Sequence, residues 1–110
     1  MTETNIAILM GTVSGFRRVE FPSGAATILL DLASNGRMVP VALADPSAEQ
    51  AGLVVEGAEL LVVGPVLRRY FRVAGATQSR TEIVADVLVP LRRVDEVEAA
   101  MRGVVEMLLA

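Results

Sequence analysis

The sequence predicts an all-β fold, a five-stranded barrel with a short helix between strands 3 and 4 and an appended C-terminal helix. Three observations predict it. Apolar, β-branched runs of strand length recur along most of the chain, separated by Gly, Pro and Asn turn signals. One short stretch between them, opening at Pro46, carries helix-start residues instead. From residue 94 onward the apolar spacing changes from a period of two to the helical period. The 110 residues are therefore expected to divide into a barrel domain, 1–92, and an amphipathic helix, 93–110.

The first strand is expected over Asn5–Val13. Ile6, Ile8 and Met10 alternate there with Ala7, Leu9 and Gly11, so both faces are apolar and the strand reads as buried. Gly11 inside it suggests a bulge or tight bend. Ser14–Gly24 reads as a connection ending in the turn signal Pro22-Ser23-Gly24. Ala25–Ala33 is the second strand. Asn35-Gly36 then predicts a type I′ turn, because both residues tolerate positive φ. Arg37–Ala44 returns as the third strand, with Pro40 implying an edge or a bulge. Asp45 as cap, Pro46 at the first helical position and Glu49 in the first turn predict a helix over Pro46–Val54.

The longest organised stretch is Glu59–Leu91. Two β-branched runs, Glu59–Val73 and Thr81–Leu91, flank the small and polar residues Ala74–Ser79, which predicts a hairpin with a longer loop. In the last segment, Val94, Val97, Met101, Val104 and Leu108 approximate a heptad seam. Asp95 and Glu98 have capping-box spacing at its start. Such a face must be covered, either by the barrel, by a second copy of the chain or by another protein.

Composition narrows the function. There is no Cys and no His, which removes most zinc sites, thiol chemistry and the commonest general base. Neither a Gly-rich phosphate loop nor an Asp-rich metal loop is present, so no cofactor, no metal and no catalysis are expected. No apolar run approaches the roughly 18–20 residues of a membrane span. The first residues carry no basic-apolar leader, so a cytoplasmic location is expected. Net charge is −3, against binding of nucleic acid by bulk charge alone. Every basic residue is arginine, and the arginines are unevenly placed. Arg68, Arg69 and Arg72 surround Tyr70 and Phe71, the pairing of guanidinium and aromatic faces that holds a single strand by phosphate and base.

Strand, strand, strand, helix, strand, strand is the order of an OB-fold. The chain also resembles the bacterial single-stranded DNA-binding protein family. The likeness is carried by Asn5, Leu9 and Gly11, by Pro22-Ser23-Gly24, Leu32-Ala33 and Val55-Glu56-Gly57. It continues through Val62-Val63-Gly64-Pro65-Val66-Leu67-Arg68-Arg69-Tyr70-Phe71, Gly75 and Thr81–Ala85, in collinear order over residues 5–91. The dimeric primosomal replication protein PriB is similar to the first thirty or so residues about as well. The resemblance implies sequence-independent binding of single-stranded DNA in replication, repair or recombination, by a dimer or tetramer. A paralogous single-stranded DNA-binding protein or another replication protein is a possible partner. It places Phe71 on a stacking position and Arg69 on a basic one.

The sequence also departs from that family. Asn35, Gly36 and Arg37 stand where aromatics are expected, Leu43 replaces another, and the hairpin between strands 2 and 3 is short. A flexible tail with an acidic, Phe-terminated end is expected to be missing, with the helix in its place.

The candidate nucleic-acid residues are Arg17, Arg18, Phe21, Arg37, Arg68, Arg69, Phe71, Arg72 and Arg80. Phe71 reads equally as stacking aromatic or ordinary core. Tyr70, on the other face of the strand, then reads as packing or edge. Phe16 reads as core and Phe21 either way. For Val94, Val97, Met101, Val104 and Leu108, a homo-oligomer contact is the favoured reading of three. The alternative function is a degenerate OB-fold acting as an interaction or assembly module without significant DNA binding.

Overall fold

The computed structural model describes residues 3–110; Met1 and Thr2, which open the expected barrel domain, lie outside the described residues. Seven strands and two helices run in the order β1 (Ala7–Glu20), β2 (Ala26–Ser34), β3 (Arg37–Ala44), α1 (Ala48–Leu53), β4 (Glu59–Gly64), β5 (Val66–Val73), β6 (Ala76–Val84), β7 (Val87–Pro90) and α2 (Val94–Leu109). The strand order is β5-β6-β3-β2-β1-β4-β7. It is the five-stranded barrel with two of its strands broken: β4 and β5 are one bent strand, as are β6 and β7. The bend puts their first and second halves at opposite ends of the sheet and closes the barrel through a parallel pairing, Val41 with Ile83 and Ala42 with Val84.

The corner is built from backbone. Pro65, with no N–H, separates β4 from β5. Its carbonyl accepts from Val84 N–H at 2.9 Å, and Val63 accepts from Asp86 N–H at 2.9 Å. Gly64 is required there, since a Cβ would run into the Val84 carbonyl. The side-chain amide of Asn5 then acts as a surrogate strand partner for β5. It donates to Val66 O at 2.8 Å and accepts from Val66 N–H at 3.0 Å.

The interior is filled by alternate residues of each strand, among them Val13, Ile28, Leu30, Leu32, Val41, Leu43, Leu60 and Val62. Each such side chain contributes about 1.5–3 kcal/mol by leaving water. A second cluster lies outside the barrel, where Leu61, Val63 and Val87 meet Val97, Met101 and Val104 of α2. Arg93 ties the start of α2 to α1, reaching Glu49 at 3.3 Å and Glu96 at 3.4 Å. These two acceptors raise its pKa above the ordinary guanidinium value.

Several sequence expectations need correction. The first strand does not stop at Val13. It continues to Glu20 through a bulge between Val13 and Gly15, because β2 is long enough to pair with it throughout. Gly11 is not the bulge; it lets the backbone of β2 approach, since a Cβ would lie 2.6 Å from Ala33 O. Ala76–Ser79 are strand rather than loop. Ala74 and Gly75, at φ 51° and 80°, make a two-residue turn of the primed type, so the hairpin is paired to its tip. The Asn35-Gly36 turn has both φ positive, as expected.

Helix α1 begins at Ala48, capped by Ser47, whose Oγ accepts from Gln50 N–H at 3.1 Å while Gln50 Oε1 accepts from Ser47 N–H at 3.0 Å. Asp45 is drawn away to close the β2–β3 ribbon, accepting from Ala26 N–H at 3.2 Å. Helix α2 starts at Val94 without a side-chain cap. Helical bonding already begins at Arg93 O, which accepts from Val97 N–H, so Asp95 lies in the first turn rather than at the cap. Pro40 sits just before the two residues of β3 that pair with β6, where that flank has no ladder to break.

Candidate nucleic-acid interface

Beyond the barrel, β5 and β6 project as a two-stranded arm, paired from Val66–Ile83 to Val73–Ala76. Alternation assigns its side chains to two faces. Leu67, Arg69, Phe71 and Val73 share one face with Gln78, Arg80 and Glu82. Arg68, Tyr70 and Arg72 share the other with Thr77, Ser79 and Thr81.

The first face overhangs the outer surface of β1 and β2. A shallow cleft of about 220 Å³ forms there between Arg69, Phe71 and Arg80 of the arm and Arg17, Val19, Phe21 and Leu29 of the barrel. A neighbouring hollow, also about 220 Å³, extends it past Gly15, Phe16 and Asp31. The bulge in β1 sets this geometry, since it turns Arg17 and Val19 onto the face shared with Leu29 and Asp31. Phe71 is half-buried and Phe21 is 45% exposed, so each offers a ring face to the cleft. The Arg69 guanidinium carbon stands 5.9 Å from the centre of the Phe71 ring. An apolar floor with aromatic walls and guanidinium groups can stack a base and hold the phosphate beside it.

The arginines are not free. Arg69 and Arg80 lie directly opposite each other across the arm, an unfavourable pairing of like charges. Glu82 relieves it. Its carboxylate, 3% exposed, reaches Arg69 Nε at 2.9 Å and Arg80 Nε at 3.9 Å. Arg80 Nη2 also reaches Asp31 Oδ1 at 3.1 Å. These bonds fix the guanidinium planes and at the same time offset their charge. Three arginines face two carboxylates in the cleft.

Of the nine nucleic-acid candidates, the structure brings together Arg17, Phe21, Arg69, Phe71 and Arg80. The other four lie elsewhere. Arg18 is on the opposite face of β1, paired with Glu20 at 3.3 Å. Arg37 flanks the β2–β3 turn, on the face opposite Asp31. Arg68 and Arg72 occupy the arm's second face, and Arg72 donates to Gly75 O at 2.8 Å. One aromatic expectation changes. Phe16 is 51% exposed rather than core, although it lies opposite the buried Leu30 in the β1–β2 register. Tyr70, expected as packing or edge, is 67% exposed on β5, the terminal strand of the sheet. Leu43 is 2% exposed, inside the barrel, and offers no substitute for the aromatic expected there.

Sequence reasoning missed Asp31, Glu82, Val19 and Leu29. Both carboxylates had a signal: Asp31 is the lone acid inside an otherwise apolar strand run, and Glu82 shares a face with Arg80 by alternation. The α2 candidates also divide. Val97, Met101 and Val104 pack on the barrel, whereas Val94 and Leu108 are exposed.

No protein-family model matches the chain, and no curated protein matches it in sequence. Solved structures do. The wild-type single-stranded DNA binding protein from Thermus aquaticus superimposes with a TM-score of 0.64 and 27% identity. The match covers 79% of this chain, which spans 40% of that protein. A deletion mutant of the same protein gives 0.62 and 26%, with the same shares of the two chains. The Plasmodium falciparum SSB in its complex with ssDNA gives a TM-score of 0.69 at 15% identity, over 82% of this chain and 96% of that one, a likeness of fold alone. Fold, element order and neighbours agree: the chain is an OB-fold of the kind found in single-stranded DNA-binding proteins.

Proposed function

We propose that this chain binds single-stranded DNA without sequence preference and without catalysis, in the cleft between the β5–β6 arm and the outer surface of β1 and β2. The observation that carries this reading is the convergence of Phe71, Phe21, Arg17, Arg69 and Arg80 from three separate segments, β1 with its end, β5 and β6, onto one cleft. Arg69 and Arg80 touch phosphate with the guanidinium edges left open by Glu82 and Asp31, and Phe71 stacks a base. A role in replication, repair or recombination and self-association through α2 belong to the same reading. Since Val97, Met101 and Val104 are spent on the barrel, a second copy would meet Val105, Leu108 and Leu109, which are 51%, 53% and 82% exposed.

The test is titration of fluorescently labelled oligo-dT at low and moderate salt, with the double variant R69A/F71A beside the parent. Salt-sensitive binding lost in the variant is the expected result. Absence of binding at low salt, where the phosphate term is largest, overturns it. That outcome would leave the second reading, an assembly module, which is favoured by the two carboxylates that already occupy Arg69 and Arg80. Sedimentation of the parent and of Leu108→Glu tests self-association; a single monomeric species in both would remove it.

A further inference from the structure

The arm has two faces, and the cleft uses one. The other carries Arg68, Tyr70 and Arg72 with the hydroxyls of Thr77, Ser79 and Thr81, all exposed. Its composition differs from the cleft in one decisive respect: no carboxylate lies on it, so its arginines are not offset by an acid on the same face. A phenol ring 67% exposed between two guanidinium groups has no packing role to explain it. Buried apolar area is what usually holds a tyrosine in a strand, and here there is almost none.

We propose that the bound strand passes round the open edge of β5 and that Tyr70, flanked by Arg68 and Arg72, is a second stacking platform for it. This rests on the single-stranded DNA reading above. β5 is the terminal strand of the sheet, so no neighbouring strand bars the way from one face to the other. Phe71 and Tyr70 are adjacent in sequence and point to opposite faces, so a strand leaving Phe71 meets Tyr70 by turning one edge. Charge complementarity selects the occupant. Two unopposed arginines attract a polyanion, the hydroxyls donate to phosphate oxygens, and the ring accepts any base.

The composition provides a direct test. Tyr70 is the single Tyr and there is no Trp, so intrinsic tyrosine emission reports on this one position. Oligo-dT is added to the parent while emission and the anisotropy of a labelled oligo-dT are followed in parallel. Binding with quenching of tyrosine emission is expected. Tyr70→Ala is expected to weaken affinity about 5- to 150-fold, the loss of one stacked base, with an unchanged melting temperature. Arg68→Ala with Arg72→Ala should make the slope of log K against log salt shallower by about 1.4, two phosphates' worth. Anisotropy that reports binding while tyrosine emission and the Tyr70→Ala affinity stay unchanged overturns this proposal and leaves the cleft standing. No binding by anisotropy at low salt overturns both.

Discussion

The barrel and the arm are built from the same two bent strands, yet they are different materials. In β4, Leu60, Leu61, Val62 and Val63 are all buried, two facing the interior and two facing α2. Seven residues further on, in β5, every side chain but Phe71 is exposed. Backbone pairing is continuous through both halves, so the arm is held by its ladder, by Asn5 at its base and by the ion pairs at Glu82. The barrel is held by packing. The lesson is a division of labour: substitutions in the barrel should change stability, and substitutions in the arm should change binding.

The largest effect expected of any single change tests the first half of that division. Leu60 is fully buried, and Leu60→Ala should lower stability by about 2–5 kcal/mol, the transfer and cavity cost of a core leucine. Leu67→Ala, at 48% exposure in the arm, should cost less than about 1 kcal/mol. Denaturant melts of both variants measure the contrast. Equal losses would mean that the arm is packed more tightly than its exposure indicates.

Phe71→Ala tests the second half. Loss of one stacked base lowers affinity for oligo-dT by about 1–3 kcal/mol. Stability should change far less than in Leu60→Ala, because the ring is only half-buried. A variant that unfolds early but binds normally when folded would make Phe71 a packing residue and reverse its assignment.

Glu82 is where the two materials meet, and its substitution should move both quantities in opposite directions. Glu82→Gln keeps the shape and an acceptor for Arg69 but removes the charge that separates Arg69 from Arg80. We expect a loss of about 1–2 kcal/mol in stability, discounted from the value for a fully buried pair because the Arg69 side chain is 42% exposed. Affinity for oligo-dT should rise, with a steeper salt dependence, since three arginines then face one carboxylate. Unfolding curves and salt titrations on the same preparation separate the two effects.

What the sequence made legible follows the same division. The barrel was readable because it is governed by local, periodic signals: alternating apolar runs, Asn35-Gly36 with its positive φ, and the order of strands and helix. The cleft was half readable. Arg69 and Phe71 share a face by simple alternation, and Arg80 joins them through the hairpin register. Arg17 and Phe21 belong with them only because β1 runs on through its bulge, which depends on pairing with β2, a non-local fact that no period in Ser14–Gly24 shows. The turn at Ala74-Gly75 was obscured by alanine, which seldom takes positive φ. The faces of α2 were misjudged for a related reason. A heptad pattern tells which residues need cover, but not whether the barrel or another molecule supplies it.

Asp31 gives the smallest and the most discriminating prediction. Its carboxylate is 47% exposed and pairs with an Arg80 side chain that is 32% exposed, so Asp31→Asn should change stability by no more than about 0.2–1 kcal/mol. Binding responds differently. The substitution releases Arg80 Nη2 toward the cleft and removes a negative charge from the path of the phosphates. If the strand crosses the barrel side of the cleft, affinity should rise several-fold at low salt and the salt slope should steepen by up to about 0.7, one further phosphate neutralised. If it keeps to the arm's second face and never enters the cleft that Arg80 lines, the slope will not move. A salt titration of this one variant therefore tells whether the strand passes between barrel and arm or only along the arm's other face.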